Sequence, residues 1–220
     1  MSFHLSRTPT IEAVANDDEK LLAQDLEARV AEVVEQTRTL PGVAAAADAM
    51  ATAQQGLAKL RAAERGLTQQ VKDSRERLDR LTHSLLDELV ESTASGARPE
   101  TKRIAELAVI EHRARFTGRA IERLTEHQIP LAEIAALREE AHALMTEARA
   151  TERIAQERAE KVLGQIREAV SGEMVLPIDM SKGVAGALLA RARSLKTRAV
   201  QVSENADQLE RAYQDRYEHS

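Results

Sequence analysis

The sequence contains no cysteine and no tryptophan, and aromatic residues make up only 2% of it. Without cysteine the chain can form no disulfide and offers no thiolate for catalysis or metal binding. This suits a reducing compartment, and we expect a cytoplasmic protein. The aromatic residues Phe3, Phe116, Tyr213 and Tyr217 are too few to fill a thick core. The core must therefore be built from Leu, Ile, Val and much Ala.

Long apolar runs are also missing. No stretch of about 18 uncharged apolar residues occurs, so the sequence predicts no helix that spans a bilayer. Residues 1–20 have no long apolar run after their positive charges, and we expect no signal peptide there. β-branched and aromatic strand formers are too sparse to make a sheet. The net charge is only −5 and no DNA-reading motif is present, so we do not expect specific nucleic-acid binding.

The sequence is rich in residues that favour long helices, chiefly Ala, Leu, Glu and Arg. Its most regular stretch, Val43 to Leu89, alternates spacings of three and four between inner positions, which is typical of a coiled-coil helix. These positions are Val43, Ala46, Met50, Ala53, Leu57, Leu60, Glu64, Leu67, Val71, Ser74, Leu78, Leu81 and Leu85. Later segments show similar spacing, and their inner positions include Ala148, Ala155, Ala192 and Ala199. We predict an all-α fold, an elongated bundle of about five long helices with heptad packing, mostly antiparallel because their connections are short.

Turn signals divide this pattern into helices. We expect a flexible tail over residues 1–9 and a single elongated domain over 10–220. Its helices are predicted at about 11–39, 43–91, 99–128, 130–171 and 181–216. Leu40-Pro41-Gly42 is predicted to end the first helix, with Gly42 permitting a reversal. Ile129-Pro130 is predicted to form either a kink or a short turn, since proline disrupts a helix interior. We favour the turn, because Pro130 also fits the start of a helix.

Two polar residues interrupt the inner positions of the second helix, Glu64 and Ser74. A polar residue at such a position commonly fixes helix register or partner number, with some loss of stability. The alternative for Glu64 is that its carboxylate simply extends to solvent. We predict that Glu64 and Ser74 set register.

A basic stretch near the C-terminus is the sharpest interaction signal. Residues 180–203 contain no acid, and we predict an interaction role for their cations, Lys182, Arg191, Arg193, Lys196 and Arg198. One interpretation pairs this helix with the acidic first helix, within or between chains. The others are an external protein or polyanion, or an anionic membrane surface, although the helix lacks Trp or Phe anchors.

Motifs for chemistry are scarce. The chain has no Gly-x-Ser-x-Gly sequence and no glycine loop for phosphate. Glu139 and His142 have the Glu-x-x-His spacing used in helical di-iron sites, but it occurs once where such sites need it twice. They are weak metal candidates, and we predict no enzyme activity and no cofactor.

The sequence as a whole therefore predicts a non-enzymatic coiled-coil structural protein, a scaffold or assembly subunit acting through helix–helix contacts. Its expected partners are further copies of itself, another helical protein, or both. The main alternative is a peripheral membrane-associated filament protein that uses the basic helix 182–198. A more distant alternative is a helical-bundle metalloprotein.

Overall fold

The computed structural model of the protein describes residues 11–96, 101–169 and 183–218, with side chains over 24–96, 102–165 and 183–217. The chain is all-helical over these ranges, which confirms the predicted all-α fold. The helices are α1 (Ile11–Arg38), α2 (Pro41–Ser95), α3 (Thr101–Arg123), α4 (Ile129–Ala169) and α5 (Val184–Glu218). Residues Leu124–Gln128 form a wider, π-helical turn that joins α3 to α4. The predicted tail, residues 1–9, and Lys182 lie outside the described residues.

Only Thr39 and Leu40 separate α1 from α2. The Leu40 carbonyl accepts hydrogen bonds from the N–H groups of Val43 and Ala44, both at 2.9 Å. Pro41 is therefore the first helical residue, where its missing N–H is of no consequence. Gly42 lies inside α2, and among the described glycines only Gly96 has a positive φ, of 71°. The prediction that Gly42 permits a reversal is wrong. Gly96 is the glycine that follows the end of a helix in the left-handed conformation.

The predicted turn at Ile129-Pro130 is also wrong, because the backbone remains helical there. Ile129 has φ −67° and ψ −49°, and its N–H bonds to the carbonyl of Leu124, five residues earlier. A proline inside a helix removes one N–H and its ring clashes with the carbonyl four residues earlier. The widened turn accommodates that clash without breaking the helix.

Contacts divide the chain into two compact units. Unit 1 contains residues 1–49 and 139–203, and unit 2 contains residues 50–138 and 204–220. Helices α2, α4 and α5 each contribute residues to both units. The single domain expected from the sequence stays a prediction.

In unit 1, helices α1, α4 and α5 share a small apolar core. Its buried members are Val33, Val34, Ala155 and Leu188, surrounded by the half-buried Val30, Ile154, Val184 and Leu189. A series of small residues continues the contact between α4 and α5: Ala148, Thr151, Ala192 and Ala199 are each 0–2% exposed. Small side chains let two helix backbones approach closely. The contact between α4 and α5 therefore depends on closely packed small residues, chiefly alanine, rather than on large apolar side chains.

Unit 2 contains most of α2 and all of α3. The Arg77–Glu106 and Glu88–Arg103 ion pairs run in opposite order along the two helices, so α2 and α3 form an antiparallel hairpin. Arg61 pairs with Glu133 at 3.0 Å and ties α2 to the start of α4. Among the described residues of this hairpin, from residue 50 of α2 to the end of α3, only Leu85 and Ser92 are buried.

Candidate interaction surfaces

Most of the predicted basic residues that the structure describes on α5 face α4 in unit 1. Three of them donate to glutamates of that helix: Arg191 to Glu147 at 3.0 Å, Lys196 to Glu152 at 2.7 Å, and Arg198 to Glu140 at 3.0 Å. For these three cations, the hypothesis of pairing with the acids of α1 of the same chain is therefore wrong, and pairing with α1 of another chain stays a prediction. Acids of α1 instead pair within their own helix, Asp25 with Arg29 and Glu35 with Arg38. The acids of residues 12–19 lie outside the described side chains.

Glu147 is the most buried of these carboxylates. Its side chain is 16% exposed and accepts from Arg191 of α5, while Arg38 of α1 lies 3.8 Å away. One acid thus holds a cation from each neighbouring helix. The Nε of Arg191 is buried, with no hydrogen-bond partner in the described part of the chain. Because that atom has lost its hydration, the guanidinium depends on Glu147 for compensation.

Arg193 remains available on this helix. It is exposed, and within the residues that the structure describes its side chain forms no ion pair. The surface that α5 can offer to an acidic partner or an anionic membrane is therefore smaller than the sequence predicts.

The weak metal candidates do not form a cluster. Glu139 is half-buried and His142 is exposed on α4. Across residues 24–96, 102–165 and 183–217 no group of three or more His, Asp or Glu side chains is placed to hold a metal ion.

The two predicted register residues are half-buried in α2. Glu64 lines a shallow groove with Arg61, Thr125 and Ile129. Ser74 lines a second groove between α2 and α3, together with Asp73, Arg77, Val109 and Arg113. Each polar residue therefore lies beside a helix–helix junction of unit 2, and its role in register stays a prediction.

An aromatic cluster at the π-helical turn is a feature that the sequence analysis missed. The rings of His127 and Tyr217 lie 4.5 Å apart, and those of Tyr213 and Tyr217 lie 4.8 Å apart. The Tyr213 hydroxyl is 3.1 Å from His127 Nδ1, and the Tyr217 hydroxyl donates to the Glu126 carbonyl at 2.9 Å. Glu126 is four residues before Pro130, so this is the carbonyl that the proline cannot satisfy. Two tyrosines four residues apart near the C-terminus were the available signal.

The α2–α3 hairpin carries large apolar side chains that nothing in the described chain covers. On α2, Leu86 is 56% exposed and Val90 is 72% exposed; on α3, Val109 is 66% and Phe116 is 70% exposed. Leu86 and Val90 are four residues apart and Val109 and Phe116 are seven apart, so each pair lies on one side of its helix. We call these pairs the α2 stripe and the α3 stripe. Exposed apolar surface of this kind is typical of a binding surface.

No protein-family model, curated protein or solved structure matches the chain. None of the described helices combines the length and hydropathy required to cross a bilayer.

Proposed function

We propose that the protein is a non-enzymatic scaffold or assembly protein that acts by helix–helix association, with further copies of itself or with another helical protein. The exposed α2 and α3 stripes are the observation that supports this most directly. Four large apolar side chains, each more than half exposed, lie on well-formed helices that contribute little else to a core. Covering such surface is favourable by about 25 cal/mol per Å².

We further propose that the helices associate by coiled-coil packing. In unit 1 the buried residues Ala148 and Ala155 are seven apart, and so are Ala192 and Ala199. A seven-residue repeat of inward positions is what knobs-into-holes packing requires. The same repeat extends into the less buried part of α2, where a partner helix would complete it.

The contacts of the basic helix weaken the membrane alternative that its sequence suggested. Its charge pairs with α4 occupy three of the cations that would otherwise contact lipid phosphate. No described contact favours a second function over helix–helix assembly.

Site-specific photocrosslinking tests the proposal. A benzoylphenylalanine placed at Val90 or at Phe116 of the full chain should trap a helical protein, either a second copy or another protein, when irradiated in the producing cell. The exposed polar residue Gln70 of α2 is the matched control position. Adducts at both apolar positions and few at Gln70 are expected. Equal labelling at all three positions, or none, would refute helix–helix assembly through this surface.

A further inference from the structure

We propose that the occupant of these stripes is a second copy of this chain, bound head to tail, so that copies join into an open series. This inference rests on the proposed function and names its partner. The α2 stripe of one copy would pack on the α3 stripe of the next. Charge complementarity and the placement of the two stripes on the hairpin lead to this arrangement.

The α2 stripe has acidic surroundings. Residues 83–95 contain three acids and no lysine or arginine. Glu88 pairs with Arg103, whereas Asp87 and Glu91 are exposed and form no ion pair within the described residues. Both flank the apolar stripe, one residue after Leu86 and Val90 respectively. A partner for the α2 stripe should therefore carry positive charge beside its apolar side chains.

The α3 stripe has the opposite surroundings. Residues 112–119 contain three arginines and no acid. Arg115 pairs with Glu111, whereas Arg113 and Arg119 are exposed and make no ion pair in the part of the chain that the structure describes. They lie three residues on either side of Phe116, so they border the stripe on the helix surface. The α3 stripe thus carries positive charge beside exposed apolar side chains, which is what the α2 stripe requires of a partner.

The two stripes lie on opposite sides of the hairpin, so one neighbouring copy cannot cover both. Val109 lines the groove between α2 and α3 together with Asp73 and Arg77 of α2. Leu86 and Val90 follow Asp73 and Arg77 by 13 residues each. At about 100° per residue this separation places them about 140° away around the axis of α2, on the side opposite to the groove. When the α2 stripe of one copy binds the α3 stripe of another, the pair still carries one free α2 stripe and one free α3 stripe. Contacts of this kind generate rings or open series rather than two-fold dimers.

Two blocking variants and their mixture test this arrangement by sedimentation velocity. Wild-type protein should form a concentration-dependent series of species. Val90→Lys removes the α2 stripe and Phe116→Lys removes the α3 stripe, and each alone should raise the apparent Kd by roughly ten-fold or more. Each variant retains the stripe that the other lacks. Their equimolar mixture should therefore form a one-to-one dimer that grows no further.

Charge reversal tests complementarity independently. Asp87→Arg with Glu91→Arg places positive charge on both stripes, and Arg113→Glu with Arg119→Glu places negative charge on both. Each double variant should remain monomeric, and mixing the two should restore association. Circular dichroism of every variant should match wild type, because the substituted side chains are exposed.

Several outcomes would overturn the proposal. A wild type that is monomeric at all concentrations, or a closed dimer, would do so. Association that survives both lysine variants would show that copies use another surface. A monomeric wild type whose photocrosslinks at Val90 and Phe116 contain a different protein would refute self-assembly and leave the proposed function intact.

Discussion

The ion pair between Glu147 and Arg191 allows a quantitative prediction about unit 1. Replacing Glu147 by Gln keeps the size of the side chain and one acceptor oxygen but removes the charge. The change leaves the Arg191 guanidinium without its carboxylate, with its Nε buried and without a partner among the described residues. It also removes the carboxylate that lies 3.8 Å from Arg38 of α1.

The size of the effect follows from the exposure of the two groups. Two unit charges about 4 Å apart attract by about 4 kcal/mol at an effective dielectric constant near 20, and desolvation offsets most of this. Breaking a fully buried pair costs about 3–5 kcal/mol, and an exposed pair is worth about 0–1 kcal/mol. Glu147 is 16% exposed but Arg191 is 34% exposed. We therefore expect a loss of about 1–2 kcal/mol, or a decrease in Tm of about 2–8 °C for a chain of this size.

Urea and thermal unfolding followed by circular dichroism measure this loss. The matched control is Glu152→Gln, because Glu152 and its partner Lys196 are both more than a third exposed. That variant should lose less than about 1 kcal/mol. Arg191→Gln and the double variant with Glu147→Gln complete a double-mutant cycle. If Glu147→Gln and Glu152→Gln are equally stable, or if the cycle gives no coupling, the ion pair does not stabilise unit 1 as argued.

Three further changes test packing, the π-helical turn and register. Tyr217→Phe should lower the free energy of unfolding in urea by about 0.5–1.5 kcal/mol, because the Glu126 carbonyl loses its donor. The loss should be smaller in a Pro130→Ala background, where a new N–H can reach that carbonyl. An equal loss in both backgrounds would show that the Tyr217 hydroxyl does not replace the N–H that proline lacks. Ala192→Leu should destabilise by about 1–3 kcal/mol through overpacking, while Ala190→Leu, at an exposed position of the same helix, should change the unfolding midpoint little. Glu64→Leu should raise Tm and broaden the distribution of oligomers in sedimentation; a lower Tm with an unchanged distribution would count against a register role.

The sequence was sufficient to predict the all-α class and many of the buried positions. The seven-residue spacing selected Ala148, Ala155, Ala192 and Ala199, and each is buried. The prediction of these buried positions succeeded because residues that recur at this spacing lie on the same side of a helix, and that side faces the neighbouring helix. Whether those positions form a true coiled coil depends on the neighbouring helix and not on the pattern alone.

The turn at Ile129-Pro130 shows where local rules fail. Proline does disfavour a regular helix at this point. The opposing contribution comes from Tyr217, 91 residues after Glu126 in the sequence, whose hydroxyl satisfies the Glu126 carbonyl. A contact over that separation is invisible to a rule that considers only neighbouring residues.

The partner of the basic helix was missed for a related reason. A tally of charge identifies acidic and basic stretches, and it selected α1 because acids dominate there. The glutamates of α4 that pair with α5 are interleaved with arginines, so they do not stand out in a tally. Their role depends on the axial alignment of two antiparallel helices, which only the three-dimensional structure provides.

The π-helical turn also affects how this chain should be aligned with relatives. A π-helical turn contains one residue more than the α-helical turn it replaces, and one residue corresponds to about 100° of rotation about the helix axis. An alignment that permits no gap within residues 124–128 would therefore assign the inner positions of α4 to the wrong side of the helix. A relative with no proline at the position of Pro130 has no such clash to accommodate, and its sequence should be one residue shorter at this turn. A single-residue gap there would be a mark of conserved architecture rather than of divergence.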